Sequence, residues 1–162
     1  MISVTVGTQG PFDRLVRAVD KWAGMRARAD IFAQTGPSDY QSEHIRTERF
    51  IDAGEFRRRV ESSDLVIGHA GMGSIITALE LGKQIIVMPR RASLGEHRNE
   101  HQVATAKQFA EQGRIVVALN EQELMDKLDQ IQVLDGAERL GARASPRLIN
   151  TIRGFIEAGY RG

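Results

Sequence analysis

No cysteine occurs among the 162 residues, so disulfides, thiolate metal sites and thiol nucleophiles are all excluded. Neither sign of charge prevails: 22 Lys and Arg stand against 21 Asp and Glu, for a formal net charge of +1. That balance gives no electrostatic footing for general nucleic-acid binding, and no nucleic-acid partner is expected. No apolar run approaches the roughly 20 residues that a membrane-spanning helix needs. The chain opens directly on the strand-like ISVTV, with no basic stretch leading into an apolar one, so no signal peptide is expected. The expected location is the cytoplasm, with any membrane association made indirectly. The length suits one domain built on one sizeable core.

Short β-rich runs alternate with helical patterns along this length. ISVTV ends at Gly7, and PFDRLVRAVDKWA follows, with Pro11 suited to a first helical turn. Phe12, Leu15, Val16, Val19 and Trp22 recur there at helical spacing. ADIFAQT and RTERFI are two further strand candidates. Asp52 is placed to cap a helix running through Ser62, with Glu55 completing a capping-box pattern. DLVIG and QIIVM are short apolar runs of the kind buried in a parallel sheet. A helix is expected from about Asn99 to Gln112, then the strand RIVVAL, then a helix EQELMDKLDQIQ capped by Asn120. A last amphipathic helix is expected at about 146–158, with Leu148, Ile149, Ile152, Phe155 and Ile156 on one side. Strands separated by helical stretches predict an α/β fold, a Rossmann-like and mostly parallel sheet flanked by helices.

Ligands of such sheets bind beyond the carboxyl ends of the strands, where loops lead into helices. The stretch GHAGMGS, residues 68–74, occupies such a place, with its helix expected to begin near Gly73 or Ser74. Gly71 and Gly73 would let a ligand come close to the backbone, and the free N–H groups of a helix start favour an anion. Ser74 could cap that helix or donate to a phosphate, and His69 could donate to an anionic group. A tight strand-to-helix turn with a surface histidine explains the same residues. Gly7, Thr8 and Gly10 form a second loop at the same edge, so two loops could hold a diphosphate between them; ordinary turn glycines are again the plain alternative. No GxxxxGK[ST] is present, which argues against a Walker-type nucleotidase. HRNEH, residues 97–101, matches the HxxEH pattern of zinc peptidases. Both histidines sit at a polar helix start, however, where so short a match arises readily by chance, and no metal is expected. Arg90 and Arg91 follow QIIVM at the ligand edge, placed to neutralise a phosphate or a substrate carboxylate unless they are ordinary solvated arginines.

Taken in order, FIDAGEF, ESSDLVIGHAGMGSIITALELGKQIIVMPR and EHRNEHQVATAKQFAEQG resemble the donor-binding C-terminal half of GT-B glycosyltransferases of family 28. The likeness extends to VTVGTQGPFDRLV, covering about residues 2–118, and is strongest for short, split subunits. These include the cytosolic subunit that helps add the second N-acetylglucosamine to dolichol diphosphate, and the small subunit of bacterial exopolysaccharide glucuronosyl- or galactosyltransferases.

The resemblance implies a diphosphate site at Gly7, Thr8, His69, Gly71, Met72, Gly73 and Ser74. It implies backbone contacts from Phe50 and Ile51 to uracil. Arg90, Arg91, Glu96, His101 and Gln102 fall near the donor sugar, and the two arginines make UDP-glucuronate a candidate donor. Family members often carry a ribose-binding glutamate where this chain has Thr77, with Glu80 one helical turn later.

The activity implied is transfer of a sugar from a UDP-sugar, with inversion, to a lipid-linked saccharide in polysaccharide synthesis. UDP-sugar is then a substrate and no cofactor is needed. The acceptor half and catalytic base are expected on a membrane-anchored partner subunit, which would recruit this chain to the cytoplasmic membrane face. The alternative is a non-catalytic nucleotide-sugar-binding or activating subunit. A nucleotide-sugar epimerase, which needs both domains in one chain, is disfavoured.

Overall fold

The computed structural model describes residues 1–110 and 115–134. In chain order it contains β1 (Ile2–Thr5), α1 (Asp13–Met25), β2 (Ile31–Gln34), β3 (Arg46–Glu48), α2 (Ala53–Ser62) and β4 (Leu65–His69). There follow α3 (Met72–Glu80), β5 (Gln84–Met88), a 3-10 turn (Ala92–Leu94), α4 (His101–Ala110), β6 (Ile115–Val117) and α5 (Glu121–Leu134). The strands form one six-stranded sheet in the order β3-β2-β1-β4-β5-β6, and every neighbouring pair is parallel. β1 lies between β2 and β4, with Ile2 beside Ile31 on one flank and beside Leu65 on the other. This is the Rossmann-like α/β arrangement, and strand order reverses at β1 and β4. A crevice therefore opens beyond their carboxyl ends.

Both faces of the sheet are covered, which is why β4 and β5 read as unbroken apolar runs. Successive side chains alternate between the faces. Ile67, Ile86 and Met88 join α1 and α5 through Leu15, Val16, Val19, Trp22, Leu124 and Leu128. Val66, Ile85 and Val87 join α2, α3 and α4 through Val60, Ile75, Leu79, Ala106 and Phe109. Trp22 is fully buried, and its indole N–H donates to Asp129 at 2.9 Å.

Several element ends differ from the sequence expectation. α1 begins at Asp13 with Phe12 as its cap, so Pro11 stands before the helix rather than in its first turn. Asp52 caps α2 through the Glu55 N–H at 2.8 Å, but the Glu55 carboxylate turns to Arg58 and Arg59 instead of closing the box. Asn120 caps α5 by accepting from the Glu123 N–H at 2.9 Å. α4 starts at His101, two residues later than expected. The expected end of that helix at Gln112 and the tail helix at 146–158 lie outside the described residues. Among the described residues, no helix is long and apolar enough to cross a membrane.

Candidate functional site

The loop after β1 is shaped by a glycine and a buried amide. Gly7 takes φ +74, a left-handed conformation that side chains resist. Gln34, at the end of β2, accepts from the Thr5 hydroxyl at 2.9 Å and donates to the carbonyls of Gly7 and Arg49 at 3.0 and 2.9 Å. One side chain thus ties together the ends of β1, β2 and β3. Thr8 and Gln9 stand exposed beyond this anchor.

His69, the last residue of β4, lies in a slot that glycines create. A Cβ on Gly7 would come within 2.8 Å of its Cε1, and a Cβ on Gly71 would fall on the ring itself. Its Nδ1 is buried without a hydrogen-bond partner among the described residues. Burial, then the nearby Arg90 charge, push its pKa down to about 4, with His97 adding to the shift and the Thr5 backbone opposing it. The imidazole is therefore neutral at pH 7, with a single N–H to donate.

Immediately after it, α3 starts at Met72, one or two residues earlier than the expected Gly73 or Ser74. The cap is Gly71, with no side-chain hydrogen bond, so the expectation that Ser74 caps the helix is corrected. Ser74 is buried inside the first turn. With no cap side chain, the first-turn N–H groups of α3 remain open to an anion. Gly73 is exposed there, and a Cβ on it would meet nothing within 4 Å. Thr77, at the ribose position of the family, donates its hydroxyl to the Gly73 carbonyl at 2.9 Å.

A cleft of about 710 Å³ opens beyond β1, β4 and β5, and Thr8, His69, Arg90, Glu96 and Gln102 all line it. Two of these differ from expectation in what they offer. Arg90 is 4% exposed and donates to the carbonyls of Val6, Gly10 and Pro11 at 2.8, 2.8 and 2.6 Å. Glu96 receives the Arg14 guanidinium on both oxygens at 2.7 and 2.9 Å, and the Arg91 N–H at 2.9 Å. Arg91 in turn donates to the Leu119 carbonyl at 2.7 Å. The expectation that Arg90 reads a sugar carboxylate is thus corrected, since backbone carbonyls hold its guanidinium, while Arg91 is half-buried and gives one Nη2 to a single carbonyl.

Gln102 accepts from the Arg90 N–H at 3.0 Å, while His101 is exposed at the start of α4, off the cleft wall. Phe50 and Ile51 follow β3 at the same sheet edge but do not line the cleft; Phe50 is 55% exposed. Sequence reasoning missed Gln9, His97 and Arg98 on the cleft wall, although HRNEH had drawn attention to the stretch. Because α4 begins at His101, His97 precedes the helix, and the helical premise of a zinc pair fails. Among the described residues, no three His, Asp or Glu side chains converge as metal ligands would. Gln34 was also missed; a lone polar residue closing the apolar run IFA was its signal.

Residues 1–145 match the glycosyltransferase family 28 C-terminal domain. The human UDP-N-acetylglucosamine transferase subunit ALG13 is 30% identical over 124 residues, 70% of this chain and 10% of that protein. The mouse protein of the same name is 29% identical over 79 residues, 49% of this chain and 6% of its own length. The chain thus spans a tenth or less of these curated relatives. An NMR structure of ALG13 superposes with a TM-score of 0.58 at 22% identity, covering 82% of this chain and 85% of that one. The glycosyltransferase SnogD from Streptomyces nogalater gives 0.53 at 20% identity, covering 97% of this chain but 42% of its own. These structural likenesses carry the fold, that of one half of a GT-B enzyme. With the family match running over most of its length, the chain belongs to glycosyltransferase family 28, whose C-terminal domain it carries.

Proposed function

We propose that this chain is the donor-binding, catalytic subunit of a two-component inverting glycosyltransferase. It would pass a sugar from a UDP-sugar to a lipid-linked saccharide acceptor in polysaccharide synthesis. The observation that carries this reading is the cleft beyond β1, β4 and β5, where Thr8 of the Gly7 loop stands beside a neutral His69 and the uncapped start of α3 follows that histidine in the chain. When the bond to the anomeric carbon breaks, negative charge gathers on the leaving UDP. Fixed N–H donors at a helix start stabilise such charge without reorganising, so the subunit needs no metal or other cofactor. The human relative's name supports a uridine donor.

The described residues supply one wall of the reaction site. The acceptor and the base that activates it would come from a membrane-anchored partner subunit seated over the cleft. That partner would also bring this chain to the cytoplasmic face of the membrane. Without it, the orientation contribution of roughly 7–11 kcal/mol is largely missing. Arg98, exposed on the cleft wall, is left to meet a carboxylate on the sugar, so UDP-glucuronate belongs in the donor panel.

The test has two stages. Calorimetric titration of the chain with UDP should show binding that His69→Ala weakens by about 1–3 kcal/mol; no binding to the folded parent overturns the donor assignment. Transfer is then assayed with UDP-glucuronate, UDP-glucose and UDP-galactose, with and without the membrane partner. Full activity from the chain alone overturns the split enzyme. Full activity of the complex after His69→Ala and Gly73→Val replacement assigns a non-catalytic role instead.

A further inference from the structure

Arg90 is a buried cation whose guanidinium, among the described residues, donates to carbonyl oxygens alone. An apolar side chain of that size would fill the same space without the cost of burying a charge. What the arginine adds is direction. It draws in the carbonyls of Val6, Gly10 and Pro11, while Gln34 draws in that of Gly7. The amides of the same loop are left differently. Gly7 donates to the Thr5 hydroxyl and Pro11 has no N–H, but the N–H groups of Thr8, Gln9 and Gly10 meet no acceptor among the described residues. Thr8 and Gln9 line the cleft beside His69. Three successive amides without an acceptor thus stand on a loop whose Val6, Gly7, Gly10 and Pro11 carbonyls are held by side chains, and they are free to donate to an anion.

The Arg90 guanidinium is itself held in place. It lies over the Phe12 ring at 4.8 Å, and Arg14 lies at 5.3 Å from the same ring. The Arg90 N–H is fixed by Gln102, and Arg14 holds Glu96, whose carbonyl also receives Arg90 at 3.4 Å. The stretch from Arg90 to Gln102 is thereby tied to the loop and to the start of α1, about 80 residues earlier in the chain.

We infer that Arg90 is a positioning residue: by holding the carbonyls of the Val6–Pro11 loop it presets the Thr8–Gly10 amides to bind a phosphate of the donor. This inference rests on the donor-site reading above. A lysine keeps the charge but has no planar fork to span several carbonyls, so Arg90→Lys separates charge from geometry.

The experiment compares the parent chain with Arg90→Gln and Arg90→Lys, each checked for folding by urea denaturation. UDP is titrated by calorimetry and uridine by NMR. The expected result is a loss of UDP affinity of tenfold or more in Arg90→Gln and of at least fivefold in Arg90→Lys. Uridine binding stays within twofold throughout, because the nucleoside does not reach the loop. UDP affinity within twofold of the parent in both folded variants overturns the inference. So does an equal loss for uridine and UDP, which would mark a general collapse of the site. A parent that binds neither ligand overturns the donor-site reading and this one with it. Should neither variant fold, amide exchange in the parent decides: UDP, but not uridine, must slow exchange at Thr8, Gln9 and Gly10, and unchanged exchange overturns the inference.

Discussion

Replacing Gly73 with alanine should raise stability and lower ligand affinity together, and the structure gives a size to each effect. Gly73 is the second residue of α3, its φ is not positive, and a Cβ there meets nothing within 4 Å. The added methyl therefore strains nothing in the fold. A mid-helix glycine-to-alanine change is worth roughly 0.5–1 kcal/mol, and the first turn should return about half a kcal/mol of that. Affinity moves the other way. Cβ atoms of a helix tilt toward its N-terminus, so the methyl leans into the space through which an anion reaches the first-turn amides. Losing one hydrogen bond to a charged phosphate costs about 1.5–3 kcal/mol, or tenfold and upward in affinity. Urea denaturation and calorimetric titration with UDP, run at one temperature, read both quantities from one preparation. A stabilised variant that binds UDP like the parent refutes a phosphate over Gly73, and a destabilised variant refutes the open space.

Two further outcomes follow from His69. Gly71 has an extended backbone that alanine tolerates, so Gly71→Ala should destabilise only by colliding with the His69 ring, by roughly 1–3 kcal/mol. In a double-mutant cycle with His69→Ala most of that cost should vanish, a coupling of about 1 kcal/mol or more; additive effects would refute the packing. His69 also makes stability depend on pH. Its folded-state pKa of about 4 lies below the ordinary 6.5, so the unfolded chain takes up the proton first. The stabilisation is complete above pH 6.5 and is lost as pH falls toward 4, by an order of about 3 kcal/mol. His69→Gln should flatten that part of the profile, and parallel profiles for parent and variant would refute the buried neutral ring.

How much of this was legible in the sequence depended on the distance over which each feature is decided. The apolar runs of β4 and β5, the Asp52 and Asn120 caps and the strand-to-helix passage at GHAGMGS are set by neighbours within a few residues, and spacing alone revealed them. The Rossmann-like class followed from their alternation. Strand order did not, because it rests on pairings such as Ile2 with Leu65 that no local pattern encodes. The site was split in the same way. The glycine loops and His69 could be singled out because their backbone demands are local. The direction of Arg90 could not, because its partners are carbonyls some 80 residues earlier in the chain. Read in sequence, Arg90 and Arg91 were two cations at a ligand edge; in the fold, one orders a loop and the other holds the carbonyl of Leu119. Residue chemistry and local period determined which groups stand near the strand ends. Only tertiary packing decided which of them face the cleft, since a buried donor must turn to whatever acceptors the rest of the fold brings to it.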